Sequence, residues 1–281
     1  MTQLLLHPSS KNSIAKIIER PPHGLLIVGP NGIGKMSIAS LIAETILGIK
    51  DIRQYPYANV ISPKNDKMIS VEEVRTLDNF FKLKIKRSNA INRVVIIEYA
   101  NKLSIPAQNA LLKNLEEPPS DALIIMTTDE KQSLLPTILS RLQTIHINKP
   151  NTHDLKANYP DIEDKLLNTA VAISGGKPGL LTTLISDPGH PLFEATKVAR
   201  QIISSSQYER LLLVDSLSKD KQLTVNVIHI MLQMADISIK DVTSKTAARW
   251  RSILNACYEA EDELKRNGQI KLVLLKLMLS L

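Results

Sequence analysis

One stretch constrains this chain more than any other: Gly29-Pro30-Asn31-Gly32-Ile33-Gly34-Lys35. It follows an apolar run, Leu25-Leu26-Ile27-Val28, and leads into Ser37-Ile38-Ala39-Ser40-Leu41-Ile42-Ala43. Strand, glycine loop and helix in that order are the setting in which G-x-x-x-x-G-K becomes a phosphate-binding loop. The glycines let the backbone curl with N–H groups pointing inward, and the helix N-terminus adds positive potential for a polyphosphate. Gly29, Asn31, Gly32, Gly34, Lys35, Met36 and Ser37 are the candidate nucleotide-binding residues, with Lys35 reaching the outer phosphates. Position 36 breaks the pattern. A hydroxyl is needed there for Mg²⁺, and a methionine thioether is a poor ligand for a hard cation. Ser37 does not obviously replace it, because one further residue turns a helical side chain by roughly 100°. The loop is built like a nucleotide site and chemically blunted.

A chain of 281 residues with 43% hydrophobic and 22% charged residues is an ordinary globular chain of two or three domains. Aromatics at 4% argue against a single-strand binder that stacks bases on rings. The net charge of +7 and pI near 9.3 suit work close to nucleic acid, and are also found in basic proteins with no such role. The one cysteine, Cys257, excludes an internal disulfide and a cysteine-rich zinc module, and its apolar helical setting reads as core. The first residues lack a basic n-region, and Lys271 and Lys276 interrupt the last apolar run, so a cytoplasmic protein without a membrane span is expected.

Residues 9–20 read as an amphipathic helix ended by Pro21-Pro22, and the helix after the loop stops near Gly48. Asn59-Val60-Ile61 reads as a strand. Ser70 and Glu73 form a capping box for a helix through Val74, Leu77 and Phe81. Lys82, Lys84, Lys86 and Arg87 close that segment, as a solvated helix end or as contacts to a DNA backbone. Arg93-Val94-Val95-Ile96-Ile97-Glu98 reads as a buried parallel strand with a carboxylate at its C-terminal end, where α/β sheets bind ligands. Glu98 is placed to hold Mg²⁺ directly or through water. Tyr99 stands where a second acid would activate water, a second defect in one site. Ser104 caps a helix with Leu111, Leu112 and Leu115 on its buried face, stopped by Pro118-Pro119. Residues 122–127 form a further buried strand ending in Thr127-Thr128. Leu134-Leu135-Pro136 opens a short helix carrying Ser140-Arg141, and 144–147 alternates like an edge strand. Beyond Pro150 only helices are expected: 161–173, 178–186, then a helical C-terminal part whose last pair, 247–266 and 269–281, is divided by Asn267-Gly268.

Three motifs stand in one order with the loop: Val-Val-Ile-Ile-Glu-Tyr-Ala-Asn-Lys-Leu-Ser at 94–104, Ala-Gln-Asn-Ala-Leu-Leu-Lys-Asn-Leu-Glu-Glu-Pro-Pro at 107–119, and Leu-Leu-Pro-Thr-Ile-Leu-Ser-Arg at 134–141. On these residues the chain resembles the bacterial clamp-loader subunits of the AAA+ superfamily, in particular the delta-prime family of DNA polymerase III. The resemblance implies an α/β AAA+ domain with a parallel sheet over 1–148, a helical lid over 149–187 and an all-α collar over 188–281 that oligomerises with sister subunits. It implies a subunit that does not hydrolyse ATP and helps place the sliding clamp on primer-template DNA. Arg141 matches the family's arginine finger, which reaches ATP held with Mg²⁺ by a neighbouring subunit; the plainer reading is an arginine capping a helix end with a local ion pair. Thr127 and Thr128 match the first sensor region, or serve as strand-end caps.

Departures from the family pattern follow the same line. The family's four-cysteine zinc module is missing from 48–63, so no zinc and no cofactor of this chain's own are expected. Gly176-Lys177-Pro178 matches the start of the lid helix without a second-sensor arginine. The implied partners are delta- and gamma/tau-type subunits, the clamp and DNA. Two other readings stand beside this one: an ATP-hydrolysing gamma/tau-like motor, against which Met36 and Tyr99 speak, and an unrelated adaptor on an AAA+ scaffold.

Overall fold

The computed structural model describes residues 4–64, 67–85, 90–240 and 244–281; Lys86, Arg87 and residues 1–3 lie outside the described residues. The chain divides into two units, one of residues 1–161 with 176–180, the other of 162–175 with 181–281.

The first unit opens with α1 (Pro8–Glu19), β1 (Gly24–Val28), α2 (Lys35–Leu47), β2 (Ala58–Ile61), α3 (Val71–Phe81) and β3 (Arg93–Ile97). It continues with α4 (Ile105–Glu116), β4 (Ala122–Thr128), α5 (Pro136–Leu139), β5 (Gln143–His146) and α6 (Thr152–Ala157). The strands form one parallel sheet in the order β2-β3-β4-β1-β5. β1, β3 and β4 are buried along their whole length, which is why they read as unbroken apolar runs. Alternate residues serve opposite faces. Leu25, Ile27, Val94, Ile96, Leu123 and Ile125 pack with Ile14 and Ile17 of α1 and Ile38 and Ile42 of α2. Leu26, Val95, Ile97, Ile124 and Met126 pack with Val74 and Leu77 of α3 and Leu111 and Leu115 of α4. The α/β parallel-sheet architecture expected from the sequence is the one observed.

Local signals acted where they were written. Ser70 Oγ accepts from the Glu73 N–H while the Glu73 carboxylate accepts from the Ser70 N–H, closing the capping box at the start of α3. The end of α3 is held by a buried arginine instead of a glycine. Arg93, at the start of β3, donates to the Phe81 and Leu83 carbonyls and pairs with buried Asp121 at 3.1 Å. The short helix expected to carry Ser140 and Arg141 ends at Leu139, with Ser140 as its cap and Arg141 in the following turn.

The second unit holds α7 (Asp164–Ser174), most of α8 (Pro178–Ser186), α9 (Pro191–Ser204), α10 (Gln207–Leu217), α11 (Lys221–Lys240), α12 (Ser244–Lys265) and α13 (Ile270–Ser280). It is all helical. α11 packs on α9 and α12, and α13 on α10 and α12, around Ala199, Ile202, Met231, Ile253, Cys257 and Leu274. Between α12 and α13 Asn267 takes the left-handed conformation (φ 61°), and the Gly268 N–H returns to the Glu263 carbonyl at 2.8 Å. No described helix is long and apolar enough to cross a membrane.

Candidate functional site

At the C-terminal ends of β1, β3 and β4 lies a cavity of about 150 Å³. Asn31, Gly32, Gly34, Lys35, Met36, Ser37, Glu98, Tyr99 and Thr127 line it, together with Gly179. Most of the residues named from sequence therefore meet in one place. Gly29 and Thr128 stand behind the lining, where the Gly29 N–H donates to the Thr128 carbonyl at 3.1 Å and ties the loop to β4. Ser37 reaches the cavity from the turn after Met36, while Met36 also packs against the core beneath α2.

The loop needs its glycines at two points. Gly32 (φ 81°) and Gly34 (φ 94°) hold left-handed backbone, and Gly34 is the residue from which α2 starts. Lys35 is buried and folds back on its own loop, donating to the Gly29 carbonyl at 2.9 Å and the Pro30 carbonyl at 3.2 Å. Burial pushes its pKa down; the charges of Asp129 and Glu98 act against that, and Lys177 adds to it.

Across from the loop, Glu98 accepts from Ser62 Oγ at 3.0 Å. Tyr99 holds left-handed backbone (φ 52°), an uncommon conformation for a bulky side chain that costs of order 1–3 kcal/mol. Its N–H donates to Thr127 Oγ1 at 3.2 Å, so this threonine hydroxyl is engaged in holding the strained turn. Thr128 Oγ1 accepts from the Glu130 N–H and donates to the Glu130 carbonyl, a strand-end cap.

Gly179 is the lining residue absent from the sequence-based set, although the Gly-Gly-Lys-Pro-Gly turn that contains it is plain in the sequence. The Leu180 N–H donates to the Gly32 carbonyl at 2.9 Å, and a Cβ on Gly179 would stand 2.9 Å from Gly32 O and 3.1 Å from Gly34 N. The start of α8 thus lies backbone to backbone on the phosphate loop, with the Lys177 stem against Gly32.

Arg141 belongs to a different part of the domain. Leu25 stands opposite Gln143 and Val28 opposite His146, so Arg141 precedes the N-terminal end of β5 while the loop leaves the C-terminal end of β1. Those three register steps alone are roughly 10 Å. The guanidinium donates to the Thr137 carbonyl (2.7 Å) and to Ser140 Oγ (3.2 Å), and meets Glu116 at 2.7 Å.

Residues 19–151 match the family described as DNA polymerase III, delta subunit. The chain is 30% identical over 174 residues to DNA polymerase III subunit delta' of Haemophilus influenzae, a match covering 56% of this chain and 53% of that protein. It is 33% identical over 156 residues to subunit tau of Bacillus subtilis, covering 50% of this chain and 27% of that protein. The chain thus spans about half the length of the delta' relatives it matches. Among solved structures, a DNA polymerase III gamma subunit-related protein from Thermotoga maritima superposes with a TM-score of 0.56 at 20% identity, over 95% of this chain and 97% of that one. A RuvB variant from the same organism gives 0.51 at 15% identity, over 70% and 65%. At those identities the two structures speak for the fold, which is AAA+-like.

Proposed function

We propose that this chain, which belongs to the delta-prime subunit family of DNA polymerase III, is a clamp-loader subunit that does not hydrolyse ATP itself and lends Arg141 to ATP held by a neighbouring subunit. The observation that carries this reading is the placement of Arg141 at the edge of the sheet opposite its own phosphate loop. A guanidinium there cannot serve the cavity beside Lys35, whereas a finger supplied in trans stabilises charge on the transferred phosphoryl group of another chain. The cavity supports the same reading from the other side: it has a thioether in place of the Mg²⁺-binding hydroxyl and a tyrosine in place of the second acid. Lys35 is spent on its own loop carbonyls.

In this reading ATP and Mg²⁺ belong to gamma/tau-type neighbours, and the chain needs neither cofactor nor zinc. The helices of 188–281 join it to delta- and gamma/tau-type subunits, and through the assembly it serves the sliding clamp and primer-template DNA in replication. The test is ATP hydrolysis by the purified chain with Mg²⁺. No turnover is expected, and the Met36→Thr, Tyr99→Glu pair is the change most apt to create some. Steady turnover by the unmodified chain would make it an ATP-hydrolysing motor instead.

A further inference from the structure

The Leu-Leu-Lys-Asn-Leu-Glu-Glu-Pro-Pro run has no task in the function proposed above. We infer that Glu116, the last residue of α4, is the positioning residue for Arg141: it fixes the guanidinium so that its remaining donors face outward toward a polyphosphate on another chain. The inference rests on the finger reading of Arg141.

Three acceptors hold the guanidinium. Nη2 meets Glu116 Oε1 at 2.7 Å, and Nη1 donates to the Thr137 carbonyl at 2.7 Å and to Ser140 Oγ at 3.2 Å. A guanidinium has five N–H donors. Among the described residues, Nε–H and one Nη2–H are left for a ligand. The two motifs that flank β4 therefore meet at one ion pair, and the group they hold is the one the function needs.

Stability does not account for the pair. The Arg141 side chain is 33% exposed and that of Glu116 49%, and pairs this exposed add little to stability. Glu116 also stands in the last turn of α4, where the helix dipole disfavours a carboxylate. The cation opposite it offsets that penalty, and sits at the C-terminal end of α5, where a positive charge is favoured. What the arrangement provides is orientation. A free arginine loses rotamer entropy when it grips a phosphate, and one already anchored on three sides loses less.

The experiment is a loader reconstituted from full-length subunits, with this chain carrying Glu116→Ala, Glu116→Gln, Arg141→Ala or Glu116→Ala with Arg141→Ala. DNA- and clamp-stimulated ATP turnover is read as kcat and KM. Glu116→Ala should lower kcat about tenfold with KM for ATP little changed, because misplacing a reacting group acts on the chemical step. Glu116→Gln keeps an acceptor oxygen of the same shape and should restore most of the rate. The double variant should be no slower than Arg141→Ala. Unchanged or faster turnover in Glu116→Ala, beside a slow Arg141→Ala, would overturn this inference and leave the finger standing. An additive loss in the double variant would also overturn it, since Glu116 would then act elsewhere. Unchanged turnover in Arg141→Ala would remove the finger and the inference together.

Discussion

Lys35 Nζ lies 2.9 Å from the carbonyl oxygen of Gly29, the first residue of its own phosphate loop. With a second bond to the Pro30 carbonyl, the ammonium is solvated by the loop that would otherwise present it to a ligand. A polyphosphate must break both bonds, and no hydroxyl follows the lysine to bring Mg²⁺ with it. ATP affinity of the isolated chain, measured by calorimetry, should therefore be weak and change less than about threefold between excess Mg²⁺ and EDTA. Tenfold tighter binding with Mg²⁺ would show that Ser37 or Glu98 supplies the missing ligand.

Gly179→Ala tests how the start of α8 lies on the loop. The added methyl would face Gly32 O at 2.9 Å and Gly34 N at 3.1 Å, both backbone atoms that cannot swing aside. The Leu180–Gly32 bond should be lost, with faster exchange of the Leu180 amide, and stability should fall by about 1–3 kcal/mol. An unchanged exchange rate would mean that the loop yields instead.

Arg93→Met should be the most destabilising of these changes. It leaves Asp121 buried without its cation and takes the guanidinium donors away from the carbonyls at the end of α3. Breaking one side of a buried pair costs about 3–5 kcal/mol, readable as a drop in the denaturant midpoint. A loss under about 1 kcal/mol would show that water reaches Asp121.

Ser70→Ala removes the cap of α3 and should cost about 1 kcal/mol at neutral pH. The Ser70 N–H, above all, holds the Glu73 carboxyl below its ordinary 4.5. A carboxyl depressed by folding stabilises the fold above its unfolded pKa, and that contribution fades as the pH falls through the folded value. The Ser70 hydroxyl adds a smaller lowering that alanine removes, so the gap between wild type and variant in urea midpoints should narrow as the pH drops below about 4.5. A gap constant down to pH 3 would separate the cap from the titration of Glu73.

Much of the fold is legible in the sequence because its determinants are local. β1, β3 and β4 are covered on both faces, so Leu25–Val28, Val94–Ile97 and Ala122–Met126 read as runs, and Ser70, Ser104 and Gly48 mark helix ends by their own chemistry. What escapes is long-range or short-lived in sequence. α6 spans six residues with only Leu155 buried, too few for a period to show, although Asn151 caps it. Gly179 gains its place from a contact with Gly32, far away in the chain, and Glu116 and Arg141 lie on either side of a whole strand. The candidate site was legible as a list of residues. Its closed lysine, strained Tyr99 and docked glycine are consequences of packing.

In the proposed function, this chain's arginine works on a site it does not own. The direct measurement is DNA- and clamp-stimulated ATP turnover by a reconstituted loader whose only altered residue is Arg141→Ala in this chain, with assembly checked by size-exclusion chromatography. Fingers in trans are worth about a thousandfold or more at the site they serve, so turnover should drop by about tenfold or more if coupled sites fire together, with assembly intact. Undiminished turnover in an intact assembly would contradict the account and leave Arg141 as a cap for α5 paired with Glu116.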